Sequence, residues 1–296
     1  MNLRKAALGL FALVLVGAGV GEARTWLGFI LPQEKQESRQ ESRQDSRSRS
    51  LGRGEAMALY SAQQQQPSFT ACSDQFPGGK PINPTTFPAP MKPLTLCSDN
   101  FAVLYSQTSK TPLVVVERLS AAQIEDAKAE VRTNQFFADP RIPKSGRAEL
   151  SDYRAQLPAV DRGHQAPAAD APDQKAMAQS FALSNMVPQD PSNNRKSWSK
   201  IESDVRKFAR RANGNVFVFT GPLFDEGHQT IGQNKVWKPT RLFKLVYDES
   251  SGRAWAYVLP NADTQMMKPI DYREFVKATG LKLLDGLPIT GTAGRS

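Results

Sequence analysis

Three kinds of apolar and polar pattern follow one another along this chain of 296 residues. Residues 6–20 form an unbroken apolar run directly behind Arg4 and Lys5. From about residue 33 to 66 the pattern is polar, with no apolar period. It holds a small repeat, Glu37-Ser38-Arg39-Gln40, Glu41-Ser42-Arg43-Gln44 and Asp45-Ser46-Arg47-Ser48, and ends on Gln63 to Gln66. Periodic patterns begin near Phe69. Residues 101–106 and 113–119, the second with Val114, Val115 and Val116, have the composition of strands. Ser120 is placed to cap a helix over 121–131, with Gln123 in the capping-box position. Residues 173–183 read as a short helix. Trp198, Ile201, Val205, Phe208 and Ala212 recur at intervals of three and four, which is one apolar stripe of a helix. Strands are expected at 215–220, 241–248 and 254–259, and Glu249-Ser250-Ser251-Gly252 joins the last two as a hairpin. A final helix is expected over 272–278. Strands and helices mix without strict βαβ alternation, so the class is α+β.

Composition and the N-terminus change this picture in two ways. The hydrophobic fraction of 40% is low for a chain folded throughout. The net charge of +9 favours a polyanionic partner, nucleic acid or an anionic membrane surface, without choosing between them. Arg4 and Lys5 followed by a short apolar run form the pattern of a secretory signal, and Gly21-Glu22-Ala23 offers a small-x-small cleavage site. The run is short for a membrane span, which needs ~20 apolar residues. Residues 26–31 are apolar again, so an uncleaved anchor is the alternative. In the repeat, Glu37, Glu41 and Asp45 would stack at i,i+4, as would Arg39, Arg43 and Arg47, and like charges at that spacing repel. The stretch therefore reads as a solvated, flexible tether. The expected organisation is a signal peptide or anchor over 1–23, a linker over 24–68 and a folded domain over 69–296. Localisation follows: exported, periplasmic or secreted, or else anchored to an inner membrane. Cys72 and Cys97 both lie beyond the signal, and an oxidising compartment favours a disulfide between them over two free thiols. Such a bridge contributes roughly 3 kcal/mol in the chain-entropy model.

Candidate chemistry gathers at two places. Asp161-Arg162-Gly163-His164 combines a base of near-neutral pKa, a carboxylate able to orient it, a phosphate-binding guanidinium and a glycine that permits close approach. Against this stands the commoner fate of a histidine, a structural one. The other histidine, His228, sits in Glu226-Gly227-His228-Gln229 and reads as a loop residue outside catalysis. The second place runs from residue 183 to Gln189 and on through Asn193, Asn194, Trp198, Glu202 and Arg206. Pro188 and Pro191 delay the helix to about Ser192, with Ser192, Asn193 or Asn194 as its cap. Arg195 and Lys196 would then oppose the dipole in the first turn, a cost that a bound phosphate reverses. Asn194, Glu202 and Arg206 fall at i, i+8 and i+12, roughly on one side, and an amide oxygen is a hard ligand suited to Mg²⁺. The plainer reading is an Asn cap and an exposed Glu202–Arg206 pair worth ~0.3–0.5 kcal/mol.

Together these segments resemble the DNA/RNA non-specific endonuclease family of the ββα-metal superfamily, to which mitochondrial endonuclease G belongs. The matching pieces are Asp161-Arg162-Gly163-His164-Gln165-Ala166-Pro167, the stretch from Ser184 to Gln189, Asn194, Trp198 with Ile201-Glu202, and Arg206. Downstream, Val218-Phe219-Thr220-Gly221-Pro222 and Phe243-Lys244 are similar too. Upstream, Arg132-Thr133-Asn134-Gln135-Phe136 with Asp139-Pro140-Arg141 is similar to the family's arginine segment. The likeness runs over roughly 101–287, in the family's order and spacing.

The resemblance implies a central antiparallel sheet flanked by helices. It implies His164 as general base and Asn194 as the direct protein ligand of one Mg²⁺, with Mn²⁺ an acceptable substitute. Glu202 would hold water, Arg132 and Arg162 would contact the scissile phosphate, and Arg206 and Asn185 would support them. Trp237-Lys238-Pro239 departs from the family's usual Val-Pro, which touches substrate contacts and leaves the chemistry alone. The implied reaction is sequence-blind hydrolysis of DNA and RNA. Compatible partners are a membrane tether through the N-terminal segment, a homodimer and an inhibitor protein. Two rival readings stay open: an inactive polyanion-binding envelope protein, and the same nuclease delivered as a toxin.

Overall fold

Alternation of side chains to the two faces of a strand lets one sheet carry two cores in this protein. The computed structural model describes residues 51–61 and 68–290. The expected signal and much of the expected tether lie outside the described residues. The first elements are helix α1 (Arg53–Ser61), strands β1 (Pro93–Cys97), β2 (Phe101–Ser106) and β3 (Thr111–Leu119), and helix α2 (Ala121–Ala127). Then come β4 (Asp161–His164), α3 (Gln174–Ser180) and β5 (Met186–Gln189). Helix α4 runs over residues 191–209 in three joined segments, Pro191–Asn193, a π turn at Asn194–Trp198, and Ser199–Ala209. Strands β6 (Val216–Leu223), β7 (Thr230–Ile231), β8 (Val236–Trp237), β9 (Arg241–Asp248), β10 (Arg253–Pro260) and β11 (Ile270–Asp271) follow, then helix α5 (Tyr272–Thr279).

Strands β1, β2, β3, β6, β9, β10 and β11 lie side by side in that order as one antiparallel sheet. On one face Leu104, Val116, Phe217, Phe219, Phe243 and Leu245 pack against Phe69, Phe76 and Ile82 and against Phe275 of α5. On the other face Val216, Val218, Leu242 and Val246 pack against Trp198, Ile201, Val205 and Ala209 of α4. The stripe expected from spacing is therefore the buried stripe, with Phe208 and Ala212 half-buried at its edge. The α+β class and the central antiparallel sheet hold.

Three local expectations change. Helix α2 ends at Ala127 and does not reach 131. Ser120 Oγ accepts from the Gln123 N–H at 3.2 Å, but the Gln123 side chain donates to Asn100 Oδ1 at 2.7 Å, so only half of the capping box forms. Residues 53–61, inside the stretch expected to be a tether, form α1, with Ala56 and Tyr60 fully buried in a cluster with Phe137, Ala176 and Met177. So few of its side chains are buried that no amphipathic period marks it in sequence.

Cys72 and Cys97 are joined, with their Cα atoms 5.6 Å apart, and tie the segment before the sheet to the end of β1. Replacing both by alanine is expected to lower stability by roughly 3 kcal/mol in urea unfolding. Thiol titration of the native protein is expected to find none free; two reactive groups would overturn the bridge.

Candidate active site

Strands β4 and β5 pair with Asp161 opposite Gln189 and His164 opposite Met186. Close approach demands a glycine between them: a Cβ on Gly163 would lie 1.9 Å from Gln189 Oε1. Gln189 Nε2 donates to Asn193 Oδ1 at 2.7 Å, which ties the hairpin to α4. The helix is capped by Asp190, whose Oδ1 accepts from the Asn193 N–H at 2.9 Å, with Pro191 at the first helical position. Asn261 holds this junction from outside. Its Oδ1 accepts from the Asp190 N–H, and its Nδ2 donates to the Pro188 and Pro239 carbonyls.

This start corrects the expected cap at Ser192, Asn193 or Asn194. It also moves Arg195 and Lys196 out of the first turn and into the π turn. Neither side chain meets the free amides of a helix N-terminus. Arg195 instead closes a two-pronged pair with Asp161, at 2.9 and 2.7 Å, and Lys196 stands 3.9 Å from Asp263.

Asp161 is likewise corrected. It does not orient His164, because residues three apart on a strand point to opposite faces. Its Oδ2 accepts from Asn194 Nδ2 at 2.9 Å, which leaves Asn194 Oδ1 as a hard oxygen donor. The π turn aims that amide. Over eight residues of plain α-helix Asn194 would sit about 80° away from Glu202, and the extra residue of a π turn reduces this to about 20°.

His164 is 8% exposed. It meets Phe181 edge-on at 5.0 Å and Phe136 at 5.7 Å, and its Nε2 is buried without a hydrogen-bond partner. Burial, then Arg132, then Arg162 push its pKa down to about 3, so the ring is neutral at physiological pH. The Arg162 guanidinium lies 4.1 Å over the Phe136 ring and that of Arg132 lies 5.1 Å over Phe181. Arg132 Nε also donates to Asn134 Oδ1 at 2.8 Å. Within the same segment Arg141 has a different fate. It is buried, paired with Asp139 at 2.6 Å, and stacked 3.6 Å over Tyr60. Asn185 is also structural: its Nδ2 donates to the Ala166 and Ser180 carbonyls and its Oδ1 accepts from the Ala166 N–H, which fixes the chain just after His164.

Beneath Glu202 lies a set of charges that sequence reasoning missed. Glu117, Thr220 and Lys244 share the α4 side of β3, β6 and β9, since they alternate in step with Leu119, Val218 and Val246. Lys244 Nζ donates to Thr220 Oγ1 at 2.7 Å and to the Gln165 carbonyl at 3.4 Å. Arg206 donates to Asp170 Oδ1 at 2.9 Å. Burial pushes the carboxyls of Glu117 and Asp170 up, and that of Glu202 up to about 7, against the pull of Lys244 and Arg206. One signal was available: Glu117 and Lys244 are charges inside otherwise apolar strand runs. His228 lies away from all this, packed 4.0 Å from the Trp237 ring.

The model of a family described as DNA/RNA non-specific endonuclease matches residues 78–289. "Nuclease 1, mitochondrial" of Schizosaccharomyces pombe is 32% identical over 211 residues, covering 62% of this chain and 64% of that protein. "Endonuclease G, mitochondrial" of Homo sapiens is 33% identical over 203 residues, covering 64% of this chain and 67% of that protein. A solved structure, "Crystal structure of the EndoG/EndoGI complex: Mechanism of EndoG inhibition", superposes with a TM-score of 0.59 at 27% identity, covering 66% of this chain and 89% of that one.

Two stability measurements test the geometry. Lys244→Met strands buried carboxyls without their cation and is expected to cost roughly 3–5 kcal/mol. Glu117→Gln, which keeps the neutral shape of a protonated acid, is expected to cost less than about 1 kcal/mol. His164 binds a proton in the unfolded chain that the folded one refuses. Its contribution is therefore full above 6.5 and lost as pH falls toward 3. Glu202 acts in the opposite sense, full below 4.5 and lost as pH rises through 7. His164→Phe is expected to flatten the acid limb by up to about 1.4 kcal/mol per pH unit; an unchanged limb would show that His164 is not the group refused.

Proposed function

The chain belongs to the DNA/RNA non-specific endonuclease family, and from that premise we propose that it hydrolyses phosphodiester bonds in DNA and RNA with little regard for sequence. One observation carries the reading. A neutral histidine is walled by Phe136 and Phe181 and faced by two arginines, and Asp161 of the same strand dictates the orientation of the Asn194 amide.

His164 takes a proton from water, and the hydroxide attacks phosphorus in line as the P–O3′ bond breaks. A ring held near 3 is a weak base until substrate arrives. Burial is the larger cause of that depression and remains, while a phosphate between Arg132 and Arg162 offsets the share due to the two arginines and so recovers part of the basicity. The same arginines stabilise the equatorial oxygens. Glu202 orients water by hydrogen bonding, and Arg206 holds Asp170 while helping to keep Glu202 ionised.

A divalent cation fits the donor set. Among the described residues no group of three or more His, Cys, Asp or Glu is placed to hold a metal. The single amide oxygen of Asn194 suits a hard ion that keeps most of its water, Mg²⁺ first and Mn²⁺ as substitute. When bound, the ion supplies Lewis-acid neutralisation of charge on the phosphate and the departing oxygen. Phosphate contacts carry no sequence information, and attack by water needs no 2′-hydroxyl, which supports a broad substrate range.

Export is part of the same proposal, because an unspecific nuclease kept with its own genome would destroy it. Arg4, Lys5 and the apolar run over 6–20 support a signal or anchor. Among the described residues no helix is long and apolar enough to cross a membrane. An inhibitor protein as partner is supported by the inhibited complex in which the structural relative was solved.

Digestion of plasmid DNA and total RNA by the purified chain tests the chemistry, run with Mg²⁺ and with chelator. Both polymers are expected to be degraded only with metal, and His164→Ala and Asn194→Ala each to slow cutting by about 100-fold or more. A chain that binds DNA but never cuts it would leave the binding-protein reading in place. Cleavage at low substrate concentration is expected to fall steeply between about 50 and 200 mM salt.

A further inference from the structure

A groove of about 450 Å³ opens between α2, α3 and α4, and Arg132 and Arg206 form its border with the candidate active site. Its floor is apolar, made by Ile124, Ala127, Ala168 and Met177. Its rim carries Lys128, Lys207 and Arg210. Glu130 also lines the groove: one of its carboxylate oxygens accepts from Gln174, and the other is buried without a partner. That volume lies within the ~300–1,000 Å³ of pockets that hold small ligands, and is far too small for a duplex.

The rim cations are weakly committed. Lys128 pairs with Glu125 at 2.7 Å, Arg210 with the same carboxylate at 3.7 Å, and Lys207 with Asp204 at 3.5 Å. Their side chains are 48%, 47% and 58% exposed. Exposed pairs of this kind contribute ~0–1 kcal/mol, so an arriving phosphate displaces them at little cost. No aromatic ring is among the described lining residues, so a base would be held by apolar contact and not by stacking, without preference for its identity.

We propose that this groove holds the nucleotide of the substrate strand next to the scissile phosphate. Its sugar and base lie against Ile124, Ala127 and Met177, and its outer phosphate lies on Lys128, Lys207 and Arg210. The inference rests on the nuclease reading above and deepens it. The groove continues the path of the strand from Arg132 along α4, so the protein would grip one strand beyond the bond it breaks.

The test compares the full chain, its Lys128→Glu/Lys207→Glu/Arg210→Glu variant, and a control, Lys80→Glu/Lys277→Glu/Lys282→Glu. The control makes the same charge change at exposed residues of the 69–91 segment and the α5 region, on the other side of the sheet. The first readout is anisotropy of a fluorescent oligothymidylate of about 20 nucleotides in chelator, where no cutting confounds binding. The groove variant is expected to bind at least about 10-fold more weakly than the control, with a salt slope smaller by roughly 0.7, the share of one single-strand phosphate. The second readout is the concentration dependence of Mg²⁺-dependent cleavage, where the groove variant is expected to lose more in kcat/KM than in kcat, since none of the three residues touches the reacting group. Equal weakening in variant and control would reduce the effect to net charge and overturn the groove. So would unchanged binding in the groove variant. If the unaltered chain binds but does not cut, the nuclease reading fails, while anisotropy still decides the groove.

Discussion

A carboxylate taken out of water must find a cation or a proton, and the underside of α4 meets that constraint with Glu117, Asp170, Glu202, Arg206 and Lys244 together. No apolar residue could replace any of them without stranding another. Lys244 is anchored by Thr220 and the Gln165 carbonyl, and Gln165 follows directly on His164. The same cation that compensates the carboxyls thereby also fixes the chain that presents the histidine. Arg206 and Asp170 perform the equivalent service between α4 and the loop after β4.

That arrangement explains why two groups of opposite chemistry are both shifted away from their charged forms. His164 is neutral because its surroundings are apolar and positive, and Glu202 is raised because burial outweighs the cations near it. Arg132 bears on both, depressing the histidine and lowering the carboxyl. A phosphate monoanion against the arginines would raise the histidine, and a hydrated cation beside Glu202 would lower its carboxyl.

Helix α4 does two jobs at its two ends. Its later turns bury Ile201, Val205 and Ala209 as an ordinary apolar stripe. Its first turns give up regular geometry for a π turn, a distortion that is common where function needs a side chain re-aimed. The Asp161–Asn194 hydrogen bond then locks the re-aimed amide. Helix α1 reaches the site at one remove: Tyr60 stacks on Arg141, Arg141 pairs with Asp139, and Asp139 accepts from the Ser184 hydroxyl beside Asn185.

Much of this was legible in sequence wherever a local rule applied. Strand-like runs located β2, β3, β9 and β10 to within a residue or two and β6 to within three, and the stripe from Trp198 to Ala212 located the buried face of α4. Spacing alone also brought His164, Asn194 and Glu202 forward as candidates, because their residue types match the chemistry they can perform. What sequence left out depended on partners distant in the chain. The role of Asp161 reversed because strand geometry turns it from His164 toward an amide on α4. The separate fates of Arg132 and Arg141 followed from which guanidinium found a buried carboxylate. Glu117 and Lys244 became a site only when strand pairing set them on one face of the sheet, on either side of β6. Periodicity records which face of an element is buried. It holds no record of what lies across from that face, and charges removed from water are governed by what lies across from them.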